Sequence, residues 1–469
     1  MAELDARAVL REFEGVRLGD VRLDRRLHRV AALLSVAPGN SFPEQMKSEA
    51  DQEALYRFLN NGNVAFDTLF GGHRGQTLTR MPSSGLVRIV HDTTEFTFEG
   101  EREGLGGLKG NKKGFLAHVA LALAADEKRT PLGVMGVHPF VYQYDKAHLT
   151  RTQKVQRTFT TPRDEKKSSR WERLALEVSA TLPDGVEALH IMDQEGDDYS
   201  VFSALAEKGL RFVIRAETSR RDADKVPLDT VLAQEPSQIF RPVPVSVRTE
   251  EQAKGKRPAR AERLAELHVR AGTVVLNRTP TATKESLSQL SLQAVHVFEP
   301  SPPAGEEPIE WMILTSEPVC TFQQIESIVD HYRARWVIEE YFKALKTGCA
   351  FEKRQLTTLD GLVRALALFV PMAWMLLTLR NVGRDQPDRD GLDIFTADQI
   401  HLLRLLLENR RRRLIESPTV RDLMLGIAAL GGHIKNNGDP GWLVLGRGFR
   451  RFTEAEEVWN LSTKRSDQS

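Results

Sequence analysis

In the stretch 331–348, which reads HYRARWVIEEYFKALKTG, one helical face would carry a single carboxylate among cations. On a helix that turns about 100° per residue, five polar side chains of this stretch share an arc of about 80°: Tyr332, Arg335, Glu339, Lys343 and Lys346. The apolar side chains fall on the opposite side, where they would pack inward: Val337, Ile338, Tyr341, Ala344 and Leu345. A carboxylate beside several cations could help to hold a divalent metal ion while the cations bind phosphates, since Mg²⁺ prefers oxygen ligands and phosphate oxygens.

The same periodicity also fits a simpler structure. A solvated amphipathic helix would carry ion pairs four residues apart, such as Glu339 with Lys343, and from periodicity alone this is the commoner case. The spacing favours Glu339 over Glu340 as the functional carboxylate, because consecutive residues point about 100° apart.

A metal site that transfers phosphoryl groups needs about three carboxylates from separate elements. Asp92 lies within a stretch rich in Val, Ile, Thr and Phe (86–98), which predicts a strand. Asp193 directly follows the apolar run 188–192, where a parallel strand would place it at the rim of a crevice. Taken singly, an aspartate in either position is more often a turn or helix-cap residue.

The elements that would position these residues follow from the pattern along the chain. Helices are predicted over 16–36 and 49–59, and the first 80 residues read as helical. Strand and helix signals then alternate up to residue 216, which is typical of an α/β core. Extended pieces at 243–249, 267–276 and 294–298 follow, a strand is predicted at 311–314, and the chain after 322 reads as mostly helical.

A family resemblance joins these separate signals. Tyr332, Arg335, Glu339 and Lys346 reproduce the spacing Y-x2-R-x3-E-x6-K. This signature resembles that of the DDE transposases of bacterial cut-and-paste insertion sequences, and especially the Tn-five group of the IS-four family. Further similar strings occur in the family's order, among them HDTT, MDQEGD, RFVIR, RPAR, EWMILTSEPV and, near the C-terminus, LGGHIKNNGDPGWLVLGRGF. Two strings near the N-terminus, LGDVRLDRRL and ALYRFLNNGNV, are similar to the family's end-binding region.

The resemblance implies a ribonuclease H-like mixed sheet flanked by helices, with a β-rich insertion and helical terminal domains. Asp92, Asp193 and Glu339 would be the catalytic, metal-binding triad, with two Mg²⁺ or Mn²⁺ ions as cofactors. The implied domains are an end-binding domain, a catalytic core in two parts, the insertion between them and a dimerisation domain: 1–80, 81–218 with 308–361, 219–307 and 362–469.

The same resemblance assigns DNA-contacting residues. Those near the cleavage point are Arg215, Tyr332, Arg335, Lys343 and Lys346, and Trp311 corresponds to an aromatic residue on which a flipped-out base stacks during hairpin formation. Without the resemblance, Trp311 would be read as a core aromatic at the start of a strand. The basic helix with Arg22, Arg25, Arg26 and Arg29 would read the terminal inverted repeats, although its charge alone also fits a solvated face.

A second basic group lies in the insertion. Its cations either contact phosphates or belong to a charged hairpin: Lys254, Lys256, Arg257 and Arg260.

Composition limits the alternatives. The 469 residues contain 65 Lys and Arg against 64 Asp and Glu, so DNA binding through bulk positive charge is excluded, whereas local basic patches are not. Two cysteines make neither a disulfide framework nor a four-cysteine zinc site, and they favour a reducing compartment. The N-terminal residues lack a secretory pattern, and the apolar stretch 362–379 reads as a buried helix rather than a membrane span. We therefore expect a bacterial cytoplasmic protein that acts on the nucleoid and does not bind a membrane.

Three functions remain open at this point. The first is a transposase that binds element ends as a homodimer, cleaves them by metal-dependent phosphoryl transfer and joins the 3′-hydroxyls to target DNA. The second is a cleavage-inactive relic that binds ends and inhibits transposition. The third is a nuclease that stops after cleavage.

Overall fold

The computed structural model describes most of the chain. The described residues are 6–36, 38–46, 48–108, 110, 112–141, 150, 152, 161–163, 166, 168–245, 247–248, 259–434 and 438–466. They divide into two compact units. The first unit comprises the described residues of 1–87, 93–146 and 336–469, and the second comprises those of 88–92 and 147–335.

Helices occupy most of the first unit. Those before the strands are α1 (Ala6–Arg11), α2 (Val21–Val36), α3 (Phe42–Gln45), α4 (Glu49–Leu59) and α5 (Phe66–Thr79). The second unit contains α6 (Ser169–Ser179), α7 (Tyr199–Glu207), α8 (Leu228–Leu232) and α9 (Phe322–Ala334). The first unit continues with α10 (Trp336–Lys343), α11 (Leu359–Asp385), α12 (Ala397–Glu408), α13 (Val420–Leu430) and α14 (Trp442–Ser466).

The strands form a mixed sheet. They are β1 (Gly85–Phe98), β2 (Gly106–Gly107), β3 (Lys113–Ala124), β4 (Pro131–Phe140), β5 (Val186–Met192), β6 (Arg211–Ala216), β7 (Gln238–Val245), β8 (Arg263–Asn277), β9 (Gln289–Phe298) and β10 (Glu310–Thr315). In the first unit, β3 neighbours β1 and pairs antiparallel with β2 and β4. In the second unit, which includes the middle of β1, the order is β1–β5–β6–β10–β9–β8–β7.

Parallel and antiparallel pairing both occur in the second unit. Strand β5 runs parallel to β6, and β10 lies antiparallel between β6 and β9. Together with the flanking helices, this mixed sheet confirms the expected ribonuclease H-like α/β fold. The β-rich segment 238–298 forms an antiparallel meander, which β10 joins to the rest of the sheet.

The core of the second unit lies on one face of this sheet. Trp171 of α6 and Tyr199, Phe202 and Leu205 of α7 pack there against Met312 of β10. Apolar residues alternate along these strands because successive side chains point to opposite faces, so each strand supplies only every second residue to this core. The burial pattern of β8 shows this alternation at its ends.

Several predicted boundaries shift for local reasons. The helix predicted over 16–36 begins at Val21, because Gly19 has a φ of 79° and Asp20 accepts a hydrogen bond from the backbone N–H of Arg22 at 2.8 Å. A residue with positive φ cannot continue a right-handed helix. The helix predicted over 49–59 is α4, with Ser48 as its N-cap.

Helix α11 is the most apolar segment of the chain. It is long and apolar enough to span a membrane, but 89% of its most apolar window is buried within the structure. The expectation of a buried core helix over 362–379 is therefore confirmed.

A buried arginine gathers three segments of the first unit. The guanidinium of Arg354 donates to the backbone carbonyls of Pro38 (2.7 Å), Asn40 and Cys349, and it lies over the rings of Phe42 and Phe369. Burial lowers the pKa of Arg354 to about 10. An arginine can satisfy several carbonyls at once because its donors are held in a rigid plane.

Candidate active site

The two candidate aspartates of the second unit lie on neighbouring strands. Asp92 belongs to β1, and Asp193 directly follows β5. Because β5 and β6 are parallel and Met192 lies opposite Ile214, Asp193 directly after β5 and Arg215 near the end of β6 lie at the same end of these two strands. The strand predictions for both aspartates are confirmed.

One arginine serves both carboxylates. Nη1 of Arg335 lies 3.1 Å from Oδ2 of Asp92, and both side chains are largely buried. Arg335 and Arg215 also act electrostatically on Asp193, although burial prevails and raises the pKa of Asp193. The structure thus brings together four charged residues that act on one another: Asp92, Asp193, Arg215 and Arg335. Their positions along the sequence do not by themselves indicate this arrangement.

Tyr332 and Trp311 complete this part of the site. Their ring centroids are 5.8 Å apart, and Arg215 hydrogen-bonds the Tyr332 side chain. Burial raises the pKa of Tyr332, which is therefore a neutral phenol at physiological pH. Trp311 is half-buried at the start of β10, so part of its ring remains accessible for stacking.

Two histidines lie behind the aspartates in the second unit. Nε2 of His91 is 2.9 Å from Nδ1 of His190, whose Nε2 is 2.8 Å from Oγ of Ser179. Burial lowers the pKa of His190 to about 3, so this histidine is neutral. The chain of hydrogen bonds ties β1 to β5 and α6, which fixes the strands that carry Asp92 and Asp193. Sequence reasoning missed this contact, since nothing in the local pattern indicates that residues 91 and 190 meet.

A second buried pair holds the turn after Asp193. The carboxylate of Asp197 accepts a hydrogen bond from the backbone N–H of Glu217 at 2.8 Å and forms an ion pair with Arg220. Oδ1 of Asp193 itself accepts from the backbone N–H of Glu195 at 2.8 Å. The loops after β5 and β6 are therefore fixed together.

Glu339 and its neighbours lie in the first unit, on α10. The apolar face predicted for this helix is confirmed, because Val337, Ile338 and Tyr341 are buried. Glu339 is half-buried. Lys343 pairs with Glu340 at 2.7 Å.

The regular helix predicted through residue 348 ends early. Helix α9 stops at Ala334, α10 runs over Trp336–Lys343, and Ala344–Gly348 form a π-helical turn in which the N–H of Cys349 bonds the carbonyl of Ala344. A π-helical turn changes the rotation per residue, so the angle predicted for Lys346 does not apply. Its ammonium group donates to the carbonyl of Glu95 and lies 5.5 Å from the ring centroid of Phe96, and burial lowers the pKa of Lys346.

The basic helix α2 presents its cations unequally. Arg22 pairs with Asp20 at 2.8 Å, and Arg29 pairs with Asp51 at 3.0 Å. Arg26 is half-buried and acts on the same Asp51, whereas Arg25 is exposed. Leu27, Val30 and Leu34 are buried on the other face of the helix, as predicted. Of the insertion's cations, Lys254, Lys256 and Arg257 lie outside the described residues, and Arg260 pairs through its backbone with Arg248.

The donor chemistry of the aspartates fits a divalent metal ion. Asp193 is buried at a cost that raises its pKa, and a bound cation would offset that cost. Within the described ranges, the side chains show no group of three or more His, Cys, Asp or Glu arranged to hold a metal ion. Asp92 and Asp193 are oxygen donors of the kind that Mg²⁺ prefers, and the part of the chain that the structure describes does not display a complete metal centre.

Two family models of known proteins match this chain. A family model described as transposase DNA-binding matches residues 5–64, and one described as transposase DDE domain matches residues 87–376. The second match contains Asp92, Asp193 and Glu339, and DDE transposase domains generally use divalent metals.

Among solved structures, the chain is similar to the piggyBac transposase in a synaptic complex with hairpin DNA, determined by cryo-electron microscopy. The identity is 10%, the TM-score is 0.29, and the match covers 78% of this chain and 54% of the other. The chain thus spans about half the length of that protein. The transposase DDE model alone covers more than half of this chain, and the chain therefore belongs to the DDE transposase family.

Proposed function

We propose that this protein is a DNA transposase of the Tn-five group of the IS-four family. It binds terminal inverted repeats as a homodimer, cleaves DNA at the element ends through hairpin intermediates and joins the 3′-hydroxyls to target DNA. It acts in the bacterial cytoplasm, on the nucleoid. The observation that carries the proposal is the joint placement of Asp92 and Asp193 around Arg335, because two buried carboxylates beside cations suit metal-dependent phosphoryl transfer.

Asp92, Asp193 and Glu339 would hold two Mg²⁺ or Mn²⁺ ions. Such ions, when bound, activate a water or a 3′-hydroxyl as nucleophile and stabilise the leaving oxygen. Glu339 enters this set through its position in the Y-R-E-K spacing and within the matched DDE domain.

The other side chains bind and orient the DNA. Arg215 and Arg335 place positive charge beside the aspartates, where a phosphate bearing the scissile bond would lie. The phenol of Tyr332 is held by Arg215 and packs against Trp311, so the exposed part of the indole can stack on an unpaired base. Lys343 and Lys346 would contact phosphates further along the strand.

Recognition of the ends belongs to the helical N-terminal segment. The match to a transposase DNA-binding model over 5–64 contains the basic helix α2 and all four of its arginines. Arg25 is exposed and Arg22 is paired only with a neighbouring carboxylate at the surface, so both can exchange a carboxylate for a phosphate oxygen.

The test uses supercoiled plasmid that carries the DNA flanking the gene on both sides. We expect Mg²⁺-dependent excision by the wild-type protein, and loss of cleavage with retained DNA binding in Asp193→Ala. Asp184→Asn is the matched control, because Asp184 is exposed before β5 and lies away from the site. Cleavage without joining would instead identify a nuclease, and binding without cleavage at any metal concentration would identify a relic that inhibits transposition.

A further inference from the structure

The carboxylate of Glu340 contacts three other side chains. Its carboxylate lies 3.1 Å from Nε1 of Trp442 and 2.7 Å from Nζ of Lys343, and it forms an ion pair with Arg380. Only 14% of the side chain is exposed. These partners come from α10 itself, from α11 and from α14, so one carboxylate joins three helices of the first unit.

The contacts keep this carboxylate charged. Burial alone would raise the pKa of Glu340, but the hydrogen bonds and charges of Lys343, Arg380 and Trp442 prevail and lower it. The guanidinium of Arg380 also lies 4.6 Å from the ring centroid of Trp442, so the two partners of Glu340 support each other. A charged group that is buried among matched partners holds a defined geometry, because any displacement leaves charges unpaired.

A cavity of about 180 Å³ borders this cluster. It is lined by Trp336, Val337, Glu340, Arg380 and Trp442, among others. Water could enter this cavity and replace the contacts that are lost when the Glu340 side chain is truncated. The effect of a truncation on metal binding would therefore be hard to interpret. An isosteric substitution to glutamine removes the charge and keeps the shape.

Glu340 directly follows Glu339 in the sequence of α10. Consecutive residues of a helix point about 100° apart, so a rotation or shift of α10 that relaxes Glu340 also redirects Glu339. We infer that Glu340 is a positioning residue, which orients the Glu339 carboxylate by fixing α10 against α11 and α14. This inference rests on the function proposed above, in which Glu339 is a metal ligand.

The experiment compares wild-type protein with Glu340→Gln in two assays. The first is a Mn²⁺ titration of the full chain without DNA, followed by electron paramagnetic resonance. The second is plasmid cleavage over a range of Mg²⁺ concentrations, with DNA binding measured separately in the absence of metal. We expect Glu340→Gln to weaken Mn²⁺ binding about fivefold or more, to raise the Mg²⁺ concentration for half-maximal cleavage by a similar factor, and to leave DNA binding unchanged.

Two further variants separate positioning from loss of stability. Trp442→Phe removes one hydrogen bond and keeps a ring under Arg380, so we expect a smaller effect in the same direction. Ile427→Val changes a buried residue of α13, a helix that supplies none of the three partners of Glu340 named above, and controls for a general decrease in the melting temperature. Glu340→Gln must change metal binding more than Ile427→Val does, even where both lower the melting temperature equally.

The possible outcomes distinguish the positioning inference for Glu340 from the proposed transposase function. If the wild-type protein cleaves DNA while Glu340→Gln matches it in both metal assays, the positioning inference is wrong and the proposed function stands. Wild-type protein that binds Mn²⁺ without cleaving DNA overturns the proposed function, and the Mn²⁺ titration of Glu340→Gln still decides the inference. Wild-type protein that binds no Mn²⁺ overturns both.

Discussion

Arg335 and Asp92 are 243 positions apart in the chain and form an ion pair with an N···O distance of 3.1 Å. The same guanidinium acts electrostatically on Asp193, together with Arg215, so the Arg335 cation is shared by two carboxylates. The balance of charge around Asp92 and Asp193 therefore depends on the geometry of the Arg335 guanidinium.

Replacement of Arg335 by lysine should therefore not be conservative. Lysine presents one compact charge in place of a planar fork, so it cannot serve both aspartates in the same geometry. We expect Arg335→Lys to reduce plasmid cleavage by about tenfold or more, which corresponds to roughly 1.4 kcal/mol in the barrier. Arg333→Lys is the control, because Arg333 pairs with Asp330 one helical turn away, and it should retain activity. Equal activity of the two variants would contradict the importance of the fork.

Asp193→Asn should raise the melting temperature of the metal-free protein. Burial raises the pKa of Asp193 above the unfolded value of 3.8, so the ionised carboxylate destabilises the fold at neutral pH. This penalty is present above the folded pKa and disappears as the pH falls through it towards the unfolded value. The variant should thus have a higher melting temperature than wild type near pH 7, and the difference should shrink in acid. Scanning calorimetry at several pH values measures this, and a lower melting temperature of Asp193→Asn at pH 7 would argue against it.

Divalent metal ions should stabilise the wild-type protein and not Asp193→Asn. A ligand that binds only the folded state adds about 2.7 kcal/mol at one hundred times its dissociation constant. We expect the melting temperature of wild type to rise with Mg²⁺ or Mn²⁺ and that of the variant to respond little. A chelator should reverse the rise, and the same rise in both proteins would place the bound ions elsewhere.

Trp311→Ala tests whether the half-buried indole stacks on a base. Such stacking contributes roughly 1–3 kcal/mol per base, so we expect hairpin formation on end-containing DNA to fall by roughly 5- to 150-fold. Trp311→Phe retains a ring and should lose less. Because Trp311 also contacts Tyr332, the melting temperature must be measured alongside, and an unchanged rate for a folded Trp311→Ala would assign the residue to packing alone.

Arg25→Ala should weaken binding to the element ends and lower its dependence on salt. Each phosphate contact contributes about 0.9 to the slope of log affinity against log salt concentration, so the slope should fall by about one unit. Filter binding at several salt concentrations gives this slope. Arg173→Ala, at an exposed arginine of α6, is the matched control and should keep the wild-type slope.

Much of the fold could be predicted from local patterns, while the contacts that build the site could not. Stretches rich in apolar and β-branched residues predicted β1, β5 and β10 closely, because strands that are buried on both faces of a sheet appear in the sequence as nearly continuous apolar runs. The pairing of His91 with His190, the burial of Arg354 and the ion pair of Arg335 with Asp92 join residues that are distant in the chain. No local pattern records such partners.

The region around Glu339 shows both outcomes. Periodicity predicted the buried face of α10, which follows from 3.6 residues per turn, and its preference for Glu339 over Glu340 as the functional carboxylate stays a prediction. It was wrong for Lys346, because the π-helical turn at 344–348 has a different rotation per residue. The structural importance of Glu340 also escaped the sequence, since Arg380 and Trp442 lie 40 and 102 positions away.

Strand β7 ends the strand order in the part of the chain that the structure describes, and it carries Pro242 and Pro244. Prolines have no N–H group, so β7 as an edge strand lacks two of the backbone hydrogen-bond donors that a further strand would need. An open edge strand exposes a protein to unwanted pairing with strands of other molecules. Pro242 and Pro244 therefore make it less favourable for a strand of another molecule to pair with β7.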